Sequence, residues 1–297
     1  MKKLFIKIKY LFIPYILLGV GTILFLAGFR WIFNFHWNLL NLKIEIWELW
    51  IPICLPFFSV LFILRNRIKI IKQSKDERRH FFYQMIMVIA ITVPNFLFQA
   101  YWSKALFDLQ TVNSITEIEN FPKEKYFKIN NFNVDREKFA IHTVMETSGR
   151  YNRQLNLEFY ASAPFGELKS NYWYGKKYSE LSENEGEEQN QQAYKLFFEH
   201  SCNKYRHLRF QKVKYFERLV PSNDLDAFLK GIIFKYPEKA TTNQIVLVSK
   251  KDEFDNRTDN KLIWTFVAFG IGLTIVFISL LFPGIDRIAY NKIKRRR

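Results

Sequence analysis

Cysteine is scarce here: Cys54 and Cys202 are the two among 297 residues. Cys54 sits inside a long apolar run and Cys202 in a polar stretch, so no internal disulfide is expected and any folded domain must be held by its core. No glycine-rich phosphate loop occurs anywhere. The five histidines, His36, His80, His142, His200 and His207, form no HExxH or other strong metal spacing. His200, Cys202 and His207 come nearest to a cluster, but on a helix Cys202 leaves the face that the two histidines share. Glu180, Glu183, Glu185, Glu187 and Glu188 lack the Asp/Asn/Gly pattern of a calcium loop and read as a solvated loop. The expectation is therefore no catalytic residue, no metal and no cofactor. Internal repeats are missing, and low complexity is confined to Glu183–Gln192.

What the chain does have is four long apolar runs, about 11–29, 46–64, 81–101 and 262–282, each near the 20 residues a helix needs to cross the hydrocarbon core. None carries Asp, Glu, Lys or Arg near its centre, which argues against ion or proton transport. The fold class expected is a multi-pass α-helical membrane protein, with an α+β domain inserted between helices three and four. Residues 1–102 hold three transmembrane helices, 103–261 the domain, and 262–297 the fourth helix and a basic tail. The first run has a basic start but is long, and no small-residue cleavage site follows, so it reads as a retained span.

The formal net charge of +16 would point to nucleic acid in a soluble chain. Its distribution says otherwise. The N-terminus (Lys2, Lys3, Lys7, Lys9) carries +4. The second connection, from Arg65 to Arg79, carries +5, as does the tail from Asp286 to Arg297. The first connection is neutral, and residues 104–260 hold 24 basic and 23 acidic side chains. Basic short segments stay in the cytoplasm, so both termini are expected inside and residues 103–261 outside the cytoplasm. Anionic headgroups are the expected lipid partner of the basic flanks; nucleic acid is not a partner. Trp31, Trp37, Trp47, Trp50, Trp102 and Trp264 fall at the expected outer ends of spans and read as interfacial anchors. Abundant Lys, Asn, Ile and Phe hint at an AT-rich bacterial genome, hence a bacterial inner membrane.

In the polar stretch, Tyr126–Val134, Phe139–Thr147, Gln154–Ala161, Asn171–Tyr178, Lys212–Leu219 and Gln244–Ser249 read as strands. A hairpin is expected across Ser148–Asn152, with Gly149 supplying a positive φ. Glu180–Gln192 reads as a loop entering a helix that runs to about His200. A second helix starts at Pro221–Asp224, capped by Ser222 or Asn223, with Leu225, Phe228, Leu229 and Ile232 as its apolar stripe. Within the spans, Asn95 and Gln99 share a face just after Pro94 and are expected to clamp neighbouring helices. Gly270, Thr274 and Gly21 are small residues suited to close helix contact.

Several short motifs resemble the N-terminal extension of a group of bacterial rhomboid intramembrane serine proteases. They are Lys125–Ile129, Ile141–His142, Thr147–Asn152, Asn243–Val246, Phe254–Arg257, Phe269–Gly272 and Phe282–Pro283. The resemblance spans nearly the whole chain and implies a partnership with such a protease. The catalytic part has no counterpart: no Gly-x-Ser occurs, His36 and His80 lie in connections, and Ser59 has no base within reach. No catalytic residue carries over. The function expected is a non-enzymatic integral membrane protein whose extracytoplasmic domain binds or senses a partner, as an accessory to a rhomboid-like protease. The alternatives are a small transporter using Asn95 and Gln99, a protective or immunity membrane protein, and, less so, an intramembrane serine protease. An enzyme in the domain would place His142 with Glu146, or Tyr151 with Arg150, in its site.

Overall fold

The computed structural model describes residues 2–37, 39–72, 78–210 and 212–295. Lys75, Asp76 and Glu77 of the second connection and the last two arginines lie outside them. The helices are α1 (Lys3–His36), α2 (Ile46–Ile68), α3 (Arg78–Ala105), α4 (Glu187–Arg206), α5 (Asn223–Lys235), α6 (Lys261–Leu281) and α7 (Arg287–Arg295). Two compact units result, Met1–Leu106 with Thr258–Arg297 and, between them in sequence, Phe107–Arg257.

In the first unit four helices are long and apolar enough to cross a membrane. Their outward faces stay apolar, with Leu17, Leu24, Phe62, Phe266 and Ile271 exposed, as for helices whose surroundings are themselves apolar. Their inward faces meet in a core of Leu11, Tyr15, Val60, Leu64, Met87, Ile91, Val276 and Leu280. Helix α1 runs on into wider π-type turns at Trp31–His36. The tightest helix approach is at Gly272, where an added Cβ would lie 2.8 Å from the Ala90 carbonyl oxygen. Strands β1 (Ile71–Lys72) and β9 (Gly284–Ile285) pair antiparallel, and Lys7 Nζ donates to Leu280 O at 2.5 Å and Pro283 O at 2.6 Å, capping the carbonyl end of α6.

The second unit is built on seven strands: β2 (Leu109–Val112), β3 (Tyr126–Ile129), β4 (Ala140–Ser148), β5 (Gln154–Pro164), β6 (Tyr172–Glu183), β7 (Tyr215–Arg218) and β8 (Ile245–Lys250). They lie in the order β2-β3-β7-β8-β6-β5-β4. Pairs β2–β3 and β6–β8 are parallel and the rest antiparallel. Alternation sends Leu155, Leu157, Phe159 and Ala161 to a face packed with Phe197 and Tyr205 of α4. It sends Tyr160, Trp173 and Val246 to the opposite face, under Phe228 and Ile232 of α5. Gly231 lets α5 lie directly on β4, since a Cβ there would come within 2.9 Å of the Ile141 carbonyl carbon.

Differences from the sequence reading are local. Strand β6 continues through Glu180–Glu183, read as loop, because those residues ladder with Gln154–Leu157 of β5 and keep their polar side chains outside. Helix α4 begins inside the acidic patch, with Glu187 and Glu188 in the first turn, where the helix dipole favours carboxylates. Strand β2 carries too short a pattern to be read. The Ser148–Asn152 turn has Gly149 at φ 80°, and Ser222 caps α5 by accepting from Leu225 N at 3.1 Å.

Candidate functional site: a buried polar cluster among the apolar helices

Polar side chains in an apolar bundle are costly unless partnered, so their placement singles out what the first unit is built around. On α1, Thr22 and Arg30 lie two turns apart, as the i, i+4, i+8 spacing through Leu26 requires. On α3, Asn95 and Gln99 are one turn apart. The two stripes face each other. Asn95 Nδ2 donates to Thr22 Oγ1 at 3.2 Å and to Ile91 O at 3.0 Å, and Arg30 Nη1 donates to Gln99 Oε1 at 3.1 Å and Gln99 O at 3.3 Å. Both amides are 0% exposed and Arg30 is 2% exposed. The guanidinium also lies 5.6 Å from the Trp47 ring and 5.4 Å from the Phe35 ring.

Among the described residues the cluster is incompletely satisfied. A guanidinium has no acceptor, so its bond to Oε1 fixes the Gln99 amide and leaves Nε2 as a donor with no partner. By the same logic Asn95 Oδ1 is an acceptor with none. Arg30 Nε, Trp47 Nε1, Glu48 Oε1 and Thr92 Oγ1 are likewise buried without a hydrogen bond. Each such group costs about 1–3 kcal/mol if nothing meets it. Donors and acceptors are both among these atoms.

Sequence reasoning found Asn95 and Gln99 and missed Arg30, Thr22, Trp47 and Glu48. Arg30 was counted with the connection after the first run, yet its spacing from Thr22 was a readable signal. Trp47 corrects an expectation: it is 1% exposed, packed on Phe29 and Arg30, whereas Trp31, Trp37, Trp50 and Trp264 are exposed. The Trp102 ring is half-buried, with its Nε1 buried and unpartnered. The small-residue contacts are also displaced. Cβ atoms at Gly270 and Gly21 would meet nothing within 4 Å, and Thr274 is exposed, donating to Gly270 O of its own helix. Gly272 and Gly19, each two residues and some 200° away around the helix, make the close approaches, Gly19 against Phe269 and Gly272 against Ala90.

In the second unit the titratable groups join elements together. Lys177 of β6 pairs with Glu158 of β5 at 2.8 Å and Asp224 of α5 at 2.9 Å. Tyr160 Oη lies 2.6 Å from Glu158 and 2.9 Å from Asp224, with one proton to give. Burial works against the Lys177 charge, but bonds to Glu158, Tyr160 and Asp224 overcome it and the pKa rises. Glu217 is held between Lys125 (2.8 Å) and Lys250 (2.7 Å); burial opposes its ionisation, and the two lysines prevail and pull it down to about 2. Burial and then Lys230 depress the His142 pKa. His142 and Glu146 lie four residues apart on the same face of one strand, and Arg150 lies over the exposed Tyr151 ring at 5.1 Å. His207 Nδ1 lies 2.8 Å from Asn203 O at the end of α4. Among the described residues no three His, Cys, Asp or Glu side chains gather as metal ligands.

Compared with protein-family profiles, curated proteins and solved structures, the chain finds no match.

Proposed function

We propose that this chain is an integral protein of a bacterial inner membrane, with both termini cytoplasmic, whose extracytoplasmic α+β domain, residues 103–261, binds or senses a partner. The observation that carries the reading is the charge pattern around four apolar helices. Three short segments on one side of the alternation carry +14 of the +16, and the 151-residue unit from Phe107 to Arg257 falls on the neutral side. In this reading the α1–α3 polar contacts keep the helices in register. The resemblance to rhomboid extensions makes a rhomboid-like protease the partner class to test first.

Two measurements test it. Single cysteines at Ser170 and Lys292, in a background with Cys54 and Cys202 replaced, should react with an impermeant maleimide from the periplasmic and the cytoplasmic side respectively. Labelling of both from one side would overturn the topology. Purification from native membranes in mild detergent should bring a membrane partner in near-stoichiometric amount; recovery of the protein alone would overturn the accessory reading and favour a transporter or protective protein.

A further inference from the structure

The two edges of the seven-stranded sheet are unlike each other. Edge strand β2 has four residues and β4 nine. Long edges present a row of unpaired backbone groups, and soluble folds blunt them with lysine, proline, bulges or brevity. Strand β4 (Ala-Ile-His-Thr-Val-Met-Glu-Thr-Ser) has no lysine, arginine, proline or glycine, and it ladders with β5 over all nine residues without a bulge. Among the described residues no backbone group outside β5 pairs with it. Helix α5 covers its face and leaves its outer edge, and Met145 is exposed there, 51%.

The polar groups on this edge are self-complementary: an imidazole N–H of His142 can donate to the Glu146 carboxylate of a second copy. His142 and Glu146, the two titratable side chains of the strand, lie two residues either side of its midpoint, Val144, on the same face. If two copies of β4 pair antiparallel about Val144, His142 of each meets Glu146 of the other, Ala140 meets Ser148, and every residue of the strand is used. Shifting the register by two residues in either direction places His142 opposite Val144 or Ser148 and loses both donor–acceptor pairs. Lys230 stands beside His142, so the side of the edge that receives the second copy's Glu146 is positive.

We infer that β4 is a homodimer interface: two copies of this chain join edge to edge through antiparallel β4 strands centred on Val144, giving a continuous sheet of fourteen strands. The occupant is a second copy because His142 and Glu146 stand symmetrically about Val144, so that one register pairs each donor with an acceptor and sets the second copy's carboxylate beside Lys230.

The test uses the full chain in lipid nanodiscs with Cys54→Ser and Cys202→Ser. In the dimer the Val144 Cα atoms face each other at about 4.5–5.5 Å, within disulfide reach, whereas Thr147 and its mate are about 20 Å apart along the strands. Mild oxidation should therefore cross-link Val144→Cys into a dimer and leave Thr147→Cys monomeric. Failure of Val144→Cys in a protein that melts like its parent, or equal cross-linking of both, overturns the inference. The charge exchange is the second arm. His142→Glu sets two like-charge pairs across the interface and should weaken dimerisation about tenfold; adding Glu146→His should restore it. A His142→Glu protein that dimerises like the parent, or a double variant that stays monomeric, also overturns it.

Discussion

Replacing Gln99 by leucine takes from the buried Arg30 guanidinium its side-chain acceptor and leaves the longer bond to Gln99 O, 3.3 Å away. Arg30 is 2% exposed, so solvent cannot take over. Gln99 is neutral, so what is lost is a hydrogen bond to a charged group, about 1.5–3 kcal/mol. Replacing both partners, as Arg30→Met with Gln99→Leu, removes the guanidinium that needs the acceptor and should recover part of it. Reversible unfolding of the purified protein in mixed micelles of increasing SDS fraction gives the free energies of wild type, both single variants and the double. The cycle should show a coupling of at least 1.5 kcal/mol. Additive single effects, or a Gln99→Leu protein within 0.5 kcal/mol of wild type, would refute the α1–α3 contact as described.

Gly272→Ala should destabilise the bundle, because its Cβ would sit 2.8 Å from Ala90 O. Gly270→Ala, which meets nothing, should be neutral or stabilising by up to about 1 kcal/mol through helix propensity; the same unfolding assay separates them, and equal effects would refute the placement of the α3–α6 contact. The Glu217 carboxylate predicts an acid sensitivity. Its folded pKa, near 2, lies below the ordinary glutamate value of 4.5, so the stability it brings is present above about pH 4.5 and is lost as pH falls toward 2, about 3 kcal/mol in all. Glu217→Gln should lower stability at pH 7 and flatten that part of the profile, read as melting temperature against pH; a profile as steep as wild type would refute it. Trp173→Phe removes a buried indole donor and leaves Gln244 Oε1, 2.7 Å away, without it, and should cost about 1–3 kcal/mol in the domain's melting transition; no change would show that the bond is not formed.

The parts of this molecule that follow a period were legible in its residues, and those set by pairing were not. Apolar runs of the right length mark the four helices, and alternation in Gln154–Ala161 marks β5, because each depends on neighbours a few positions away. Strand β2 takes its place from a parallel ladder with β3, and Glu180–Glu183 are strand because β5 lies opposite; neither signal is local. The polar cluster was half legible. Asn95 and Gln99 stand out in an apolar run, while Arg30 at the run's end looked like a flanking charge until its partner on α3 was in view. Gly270 and Gly272 make the same point, since both are small residues in one helix and only the neighbour's position tells which one faces it.

Charge in the second unit does work that a disulfide would otherwise do. Cys54 and Cys202 lie in different units and both are free thiols, so the sheet's outlying elements are tied by cations instead. Arg218 donates to the carbonyls of Ile118, Phe121 and Pro122 at 3.2, 3.1 and 2.7 Å, pinning the β2–β3 connection to β7. Lys177 fastens the start of α5 to β5 and β6, and Lys235 donates to Phe139 O at 2.7 Å, fastening its end. The Lys177–Asp224, Arg218–Pro122 and Lys235–Phe139 contacts join segments 47 or more residues apart in sequence. The excess of lysine and arginine thus has two separate uses. In the short basic segments it is unbalanced; in residues 104–260, 24 basic side chains meet 23 acidic ones, and Lys125, Lys177 and Lys250 among them are engaged in ion pairs that join elements. The near balance of charge in residues 104–260 thus contrasts with the short basic segments, and the domain presents no field of one sign.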